Sequence, residues 1–167
     1  WGRDLLRQAL DSDLPCVMDA DALNLLAGEP GRRASWILTP HPGEAARLLD
    51  TGTAEVEADR AAAVAALQAR YGGVAVLKGA GTLICDGRRT LLAATGNPGM
   101  ASGGMGDVLT GMIAGLHAQG LPPLAAAAAG AFLHGVAGDR AALGGERGLL
   151  AGDLLSEIRA LVNPEAV

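Results

Sequence analysis

The run Val74-Ala75-Val76-Leu77 is apolar at four consecutive positions, between a helical segment and a glycine turn. A strand with one buried face alternates apolar and polar residues. An uninterrupted apolar strand belongs to a sheet covered on both faces. The neighbouring segments fit that frame. Residues 3–10 read as a helix with Leu5, Leu6, Ala9 and Leu10 on one side, and 15–19 as a short buried strand ending in acids. Residues 21–26 read as a short helix broken by Gly28-Glu29-Pro30-Gly31, and 36–39 as a second strand. Residues 42–49 predict a helix with Pro42 in its first turn, where proline is tolerated. Residues 55–71 predict a longer Ala-rich helix stopped by Gly72-Gly73, and 82–85 with 90–93 a hairpin around Asp86-Gly87. Residues 107–119 carry an apolar stripe of Val108, Leu109, Met112, Ile113 and Leu116, and 124–142 and 153–162 complete a helical C-terminal part. Alternating elements of this kind predict an α/β layered sheet, largely parallel, with one hairpin added late.

A chain of 167 residues that is 50% hydrophobic reads as one domain with a sizeable core. Its aromatic residues are Trp1, Trp36, Tyr71 and Phe132. The core is therefore built from aliphatic residues, and stacking platforms for single-stranded nucleic acid are lacking. A net charge of −5 disfavours polyanion partners but leaves room for a small phosphate ligand held by backbone amides. Cys16 and Cys85 have no metal-ligand spacing and read as reduced, buried, apolar residues of a cytoplasmic protein. The most apolar region, 121–133, is too short and too rich in Gly and Ala to cross a bilayer. The chain opens at Trp1, directly into a helical pattern, which reads as a part of a longer protein or a processed one.

In an α/β sheet, ligands bind at the carboxyl ends of the strands. Three polar segments follow three predicted strands: Asp19-Ala-Asp-Ala-Leu-Asn24, Thr39-Pro-His-Pro-Gly-Glu44 and Lys78-Gly-Ala-Gly-Thr82. Each has a plain alternative. Asp21 fits a helix N-cap, His41 a turn histidine, Glu44 a complement to the helix dipole, and Lys78 a solvated strand-end charge. Gly79 and Gly81 fit simple turns, and a Walker-type phosphate loop is absent from the sequence.

The fourth segment, 97–111, is the most informative. Gly99, Gly103, Gly104 and Gly106 fall within eight positions and lead into Asp107 at a predicted helix start. Glycine at this density is costly in chain entropy unless the backbone must approach a ligand. The first amides of a helix attract anions. Asp107 is then either a cap or a proton acceptor beside a bound phosphate.

The four segments, in this order, resemble the ADP-dependent NAD(P)H-hydrate dehydratases of the ribokinase-like superfamily, across nearly all of the chain. The resemblance implies a three-layer α/β/α fold with a mostly parallel central sheet, as a single domain over 1–167 that lacks the family's N-terminal segment. It implies repair of hydrated NADH or NADPH: ADP phosphorylates the ring hydroxyl, phosphate leaves, and AMP, phosphate and NAD(P)H result. Asp107 would act as the base. Gly104, Met105 and Gly106 would supply amides to the transferred phosphate, although many relatives carry Ser or Thr where Met105 stands. Lys78, Gly79, Ala80, Gly81 and Thr82, with Gly106, would line the adenine nucleotide. His41 and Asp107, with Asn24 beside them, would contact the hydrate. Glu44 and Asp21 would stand in the outer shell of a magnesium ion. A homo-oligomer, a tetramer by the family pattern, is expected. Two other functions share the Gly-Asp loop: a ribokinase-like small-molecule kinase, and a non-catalytic adenine-nucleotide-binding module.

Overall fold

A computed structural model describes residues 2–28 and 31–163. The elements run α1 (Gly2–Asp11), β1 (Cys16–Met18), α2 (Ala20–Gly28), β2 (Trp36–Leu38), α3 (Pro42–Leu49), α4 (Thr53–Ala58), α5 (Arg60–Tyr71), β3 (Val74–Leu77), β4 (Thr82–Cys85), β5 (Thr90–Ala93), α6 (Met105–Ala118), α7 (Pro123–Ala141) and α8 (Leu154–Val162). Trp1, Glu29 and Pro30 lie outside the described residues, and with them part of the expected break after α2.

The described sheet has five strands in the order β1-β2-β3-β4-β5. Strands β1, β2 and β3 are parallel, and β3, β4 and β5 are antiparallel. The expected hairpin thus joins the edge of a three-stranded parallel sheet, and the sheet as a whole is mixed. The apolar run 74–77 is β3, buried at every position because helices cover both faces. Leu38, Ala75, Leu77 and Cys85 face a cluster with Leu23, Leu48, Val64, Leu67 and Tyr71 from α2, α3 and α5. Their neighbours Ile37, Val74, Val76 and Ile84 face Leu109, Ile113, Ala127 and Ala131 from α6 and α7. This period-2 sorting of a fully apolar strand produces the three layers.

Few aromatics force close backbone approach, most plainly where α7 meets α6. A Cβ on Gly130 would stand 2.6 Å from Ile113 Cγ1, so a side chain there would push the helices apart. Trp36 and Tyr71 are fully buried. The Tyr71 hydroxyl donates to the Leu48 carbonyl at 2.8 Å, which satisfies the one polar atom that the ring carries inside.

Two expectations are corrected. The single helix expected over 55–71 is two, α4 and α5, separated at Asp59. The Asp59 carboxylate accepts from the Ala62 amide at 2.8 Å and caps α5, and that local bond competes with helix continuation. Cys16 is only half-buried on β1, whereas Cys85 is buried as expected; both are free thiols. No described helix is long and apolar enough to cross a membrane.

Tyr71→Phe removes the buried hydrogen bond and leaves the Leu48 carbonyl without it. The expected cost is about 1–3 kcal/mol of stability, read as a lower urea midpoint at unchanged slope.

Candidate functional site

Parallel pairing puts the carboxyl ends of β1, β2 and β3 on one edge, so Asp19, Thr39 and Lys78 emerge side by side. The backbone ties them together. The Thr39 amide donates to the Met18 carbonyl at 3.0 Å, and the Lys78 amide to the Pro40 carbonyl at 2.9 Å. The Lys78 ammonium lies 2.6 Å from Asp19 Oδ1 and 3.8 Å from Glu44 Oε2. Thr110 of α6 donates to Asp19 Oδ2 at 3.0 Å, and its hydroxyl is 3.5 Å from that of Thr39. Lys78 and Asp19 side chains are 18% and 11% exposed, so their attraction is weakly screened. Burial by itself would raise the Asp19 carboxyl. The hydrogen bond and charge of Lys78, with bonds from Thr110 and the Ala20 amide, outweigh it and hold the group below the ordinary carboxylate value. Lys78 is therefore not a solvated strand-end charge.

Helix α6 begins beside this pair. Its N-cap is Gly104, at φ +87, a left-handed conformation that favours glycine, and no side chain caps it. The first helical bond runs from the Val108 amide to the Gly104 carbonyl at 3.1 Å. The amides of Met105, Gly106 and Asp107 precede that ladder. Asp107 is exposed in the first turn and makes no hydrogen bond or ion pair among the described residues, so it is not a cap. Gly106 sits against the ion pair: a Cβ there would lie 3.2 Å from Asp19 Oδ2 and 3.3 Å from Lys78 Nζ. Met105 is buried with Ala137, Leu149 and Leu154 and anchors the turn from behind.

The upstream half of the glycine segment is structural. Asn97 Oδ1 accepts from the Gly99 amide at 3.0 Å, and its Nδ2 donates to Asp139 at 3.1 Å. Asp139 also accepts the Gly96 amide, and Ser102 donates to the Leu149 carbonyl. These bonds strap the loop onto α7 and the segment before α8, and leave Gly103 and Asp107 exposed.

After β3, Gly79 and Gly81 have φ +145 and +72, and Ala80 between them is exposed. Thr82 donates its hydroxyl to the Gly79 carbonyl at 3.3 Å. Arg60, the first residue of α5, donates to the carbonyls of Leu77, Lys78 and Gly81 at 3.3–3.4 Å and clamps this loop from outside. The break between α4 and α5 is what starts a helix at Arg60.

His41 is the N-cap of α3: its Nδ1 accepts from the Gly43 and Glu44 amides at 3.0 and 3.3 Å. Glu44 is buried, and its Oε2 accepts from the His41 amide at 2.8 Å, completing a capping box. Since Nδ1 accepts, a neutral ring carries its proton on Nε2, 3.6 Å from Glu44 Oε1. Asn24 lies exposed on α2, where its Oδ1 accepts from Arg47 at 2.8 Å. Asp21 lies exposed inside the first turn of α2; the strand-end carboxylate is Asp19. The structure brings Lys78, Glu44 and Gly106 together around Asp19 and leaves Asp21 apart. No group of three His, Cys, Asp or Glu among the described residues is arranged to hold a metal. Glu44 already accepts the His41 amide and lies 3.8 Å from the Lys78 ammonium.

Sequence reasoning placed Asp19 in its strand-end segment without a role, and gave none to Thr110, Arg60 or His134. Asp19 was legible as the first acid after a strand. Arg60 carried a weaker signal, a cation at a helix start, where the dipole disfavours it. Thr110 and His134 had none. His134, on α7, is buried with Nε2 unpartnered among the described residues. Burial lowers its pKa below the ordinary value; a backbone bond at Met105 opposes the shift and the Lys78 charge adds to it.

The three-layer α/β sheet, with an open helix start at its carboxyl edge, is of the ribokinase-like class. Its match to a ribokinase-like superfamily protein of Enterococcus faecalis has a TM-score of 0.81 at 29% identity, covering 96% of this chain and 57% of that one. The family model described as NAD(P)H-hydrate dehydratase matches residues 1–160, and the chain belongs to that family. It is 57% identical over 166 residues to the bifunctional NAD(P)H-hydrate repair enzyme Nnr of Coxiella burnetii, covering 98% of this chain and 34% of the relative. A Bacillus subtilis ADP/ATP-dependent NAD(P)H-hydrate dehydratase, co-crystallised with ATP and Mg2+ and soaked with CoA, superposes with TM-score 0.81 at 32% identity, covering 93% of this chain and 60% of that one. The chain spans about a third of the length of the first curated relatives it matches.

His134 binds a proton less readily in the folded than in the unfolded chain. Stability is therefore full above the ordinary histidine value of 6.5 and falls as pH drops below it toward the lowered folded value. Urea midpoints between pH 7.5 and 5.5 are expected to show this loss, and His134→Leu to flatten it.

Proposed function

We propose that the intact protein is an ADP-dependent (S)-NAD(P)H-hydrate dehydratase that returns hydrated NADH or NADPH to the reduced dinucleotide. The observation that carries this reading is Asp107, an exposed carboxylate without a partner among the described residues, in the first turn of a helix whose leading amides lie beside a lysine. An anion-binding helix start alone fits a phosphate. A free carboxylate next to it fits transfer of that phosphate to a hydroxyl.

In this reading Asp107 accepts the hydroxyl proton of the hydrate as that oxygen attacks the β-phosphorus of ADP. The bond from that phosphorus to the bridging oxygen breaks, and AMP leaves. Amides at Gly104, Met105 and Gly106, backed by the Lys78 ammonium, meet the charge on the transferred phosphate. The phosphorylated ring then loses phosphate and a ring proton, and the carbon–carbon double bond returns. The loop 78–82 is the side proposed for the adenine nucleotide. His41 Nε2 and Asn24 are the groups proposed for the hydrate. Magnesium would arrive with the nucleotide, held by its phosphates and water, with Glu44 and Asp21 proposed for its outer shell.

Mixed with ADP, magnesium and NADH hydrate, the intact-length protein is expected to restore reduced-nicotinamide absorbance and to release AMP. No return of absorbance sinks the reading, and ADP formed from ATP on another alcohol would point to a small-molecule kinase instead. Asp107→Asn is expected to bind ADP like the parent and to lose on the order of 10²–10⁴-fold in turnover; full turnover in that variant removes Asp107 as the base.

A further inference from the structure

We propose that Asp19 is a positioning residue, holding the Lys78 ammonium and the first turn of α6 in one arrangement before nucleotide arrives. This rests on the dehydratase reading, because it assigns the site's electrostatics to a nucleotide phosphate. Asp19, at the end of β1, joins the end of β3 to α6. One oxygen takes the Lys78 ammonium at 2.6 Å, from the end of β3, and the other takes the Thr110 hydroxyl at 3.0 Å, from α6. A Cβ on Gly106 would lie 3.2 Å from Asp19 Oδ2 and 3.3 Å from Lys78 Nζ, so the Asp19–Lys78 pair backs onto the start of α6.

The chain accepts local strain to aim this carboxylate. Ala20, the next residue, has φ +46, a left-handed conformation disfavoured for a residue with a Cβ. A left-handed alanine at the mouth of a candidate site points to a constraint imposed by the site. Lys78 is also the only lysine in a sequence that otherwise uses arginine for its cations. An ammonium is a compact charge whose direction depends on its partners, whereas a guanidinium is a planar fork. Glu44 does not replace Asp19 in this role, since it is 3.8 Å from the ammonium and already accepts the His41 amide.

A probe on the Lys78 side chain makes the test direct. Reductive 13C-methylation of the intact-length protein labels its amines, and the signal lost in Lys78→Arg is that of Lys78. In the parent, ADP is expected to shift the Lys78 signal. In Asp19→Asn, the nucleotide-free signal is expected to move toward that of a solvated dimethyl-lysine. ADP affinity by calorimetry should weaken on the order of tenfold or more, as for loss of a charged hydrogen bond. KM for ADP should rise more than kcat falls. Should Asp19→Asn not fold, Thr110→Val carries the same test with a smaller loss of affinity. An unchanged Lys78 signal and unchanged ADP affinity in a folded variant overturn the proposal. A parent protein that binds no ADP overturns the nucleotide reading beneath it instead.

Discussion

The contact between Lys78 and Asp19 is the interaction on which the geometry of this protein's rim depends. Two charged groups are taken from water at the end of a sheet, and their attraction offsets that cost only because the distance is short and further bonds complete it. Thr110 supplies such a bond, and Glu44 adds a second carboxylate at longer range. Removing either partner would leave a charge without compensation in a mostly buried place. The pair therefore fixes where β1 and β3 end relative to α6, and so where the open amides of 105–107 stand.

Around that pair, local rules are broken in ways that serve the site. Arg60 places a cation at the start of α5, against the helix dipole, and in return reaches three carbonyls of the loop after β3. Asp107 stands in the first turn of α6 yet leaves its N-cap to a glycine. His41 uses one ring nitrogen to cap α3 and keeps the other turned toward Glu44. A fold optimised only for stability would cap α6 with a side chain and satisfy its first carboxylate locally.

Much of the fold was legible because burial on two faces leaves a strong pattern. The apolar run 74–77, the hairpin around Asp86-Gly87 and the stripe from Val108 to Leu116 each declare an element from local spacing. The break between α4 and α5 was not legible, because an Ala-rich segment favours helix throughout and the competing bond is made by one side chain, that of Asp59. In the site, the glycines and Asp107 announced themselves by density. The choice between Asp19 and Asp21 did not, since two acids two residues apart at a strand end look alike until the backbone turns at Ala20.

The sequence by itself determined the layered α/β class, the strand-end segments that carry chemistry, and the family whose pattern they share. Those are properties of order and spacing, which survive without coordinates. Only the tertiary structure decided that Lys78 is paired rather than solvated, that Asp19 is its partner, that Glu44 is spent on a cap, and that Asp107 has no partner among the described residues. Each of these depends on which side chains from distant segments meet across the sheet edge. Parallel pairing of β1, β2 and β3 sets that meeting, and no local spacing encodes it.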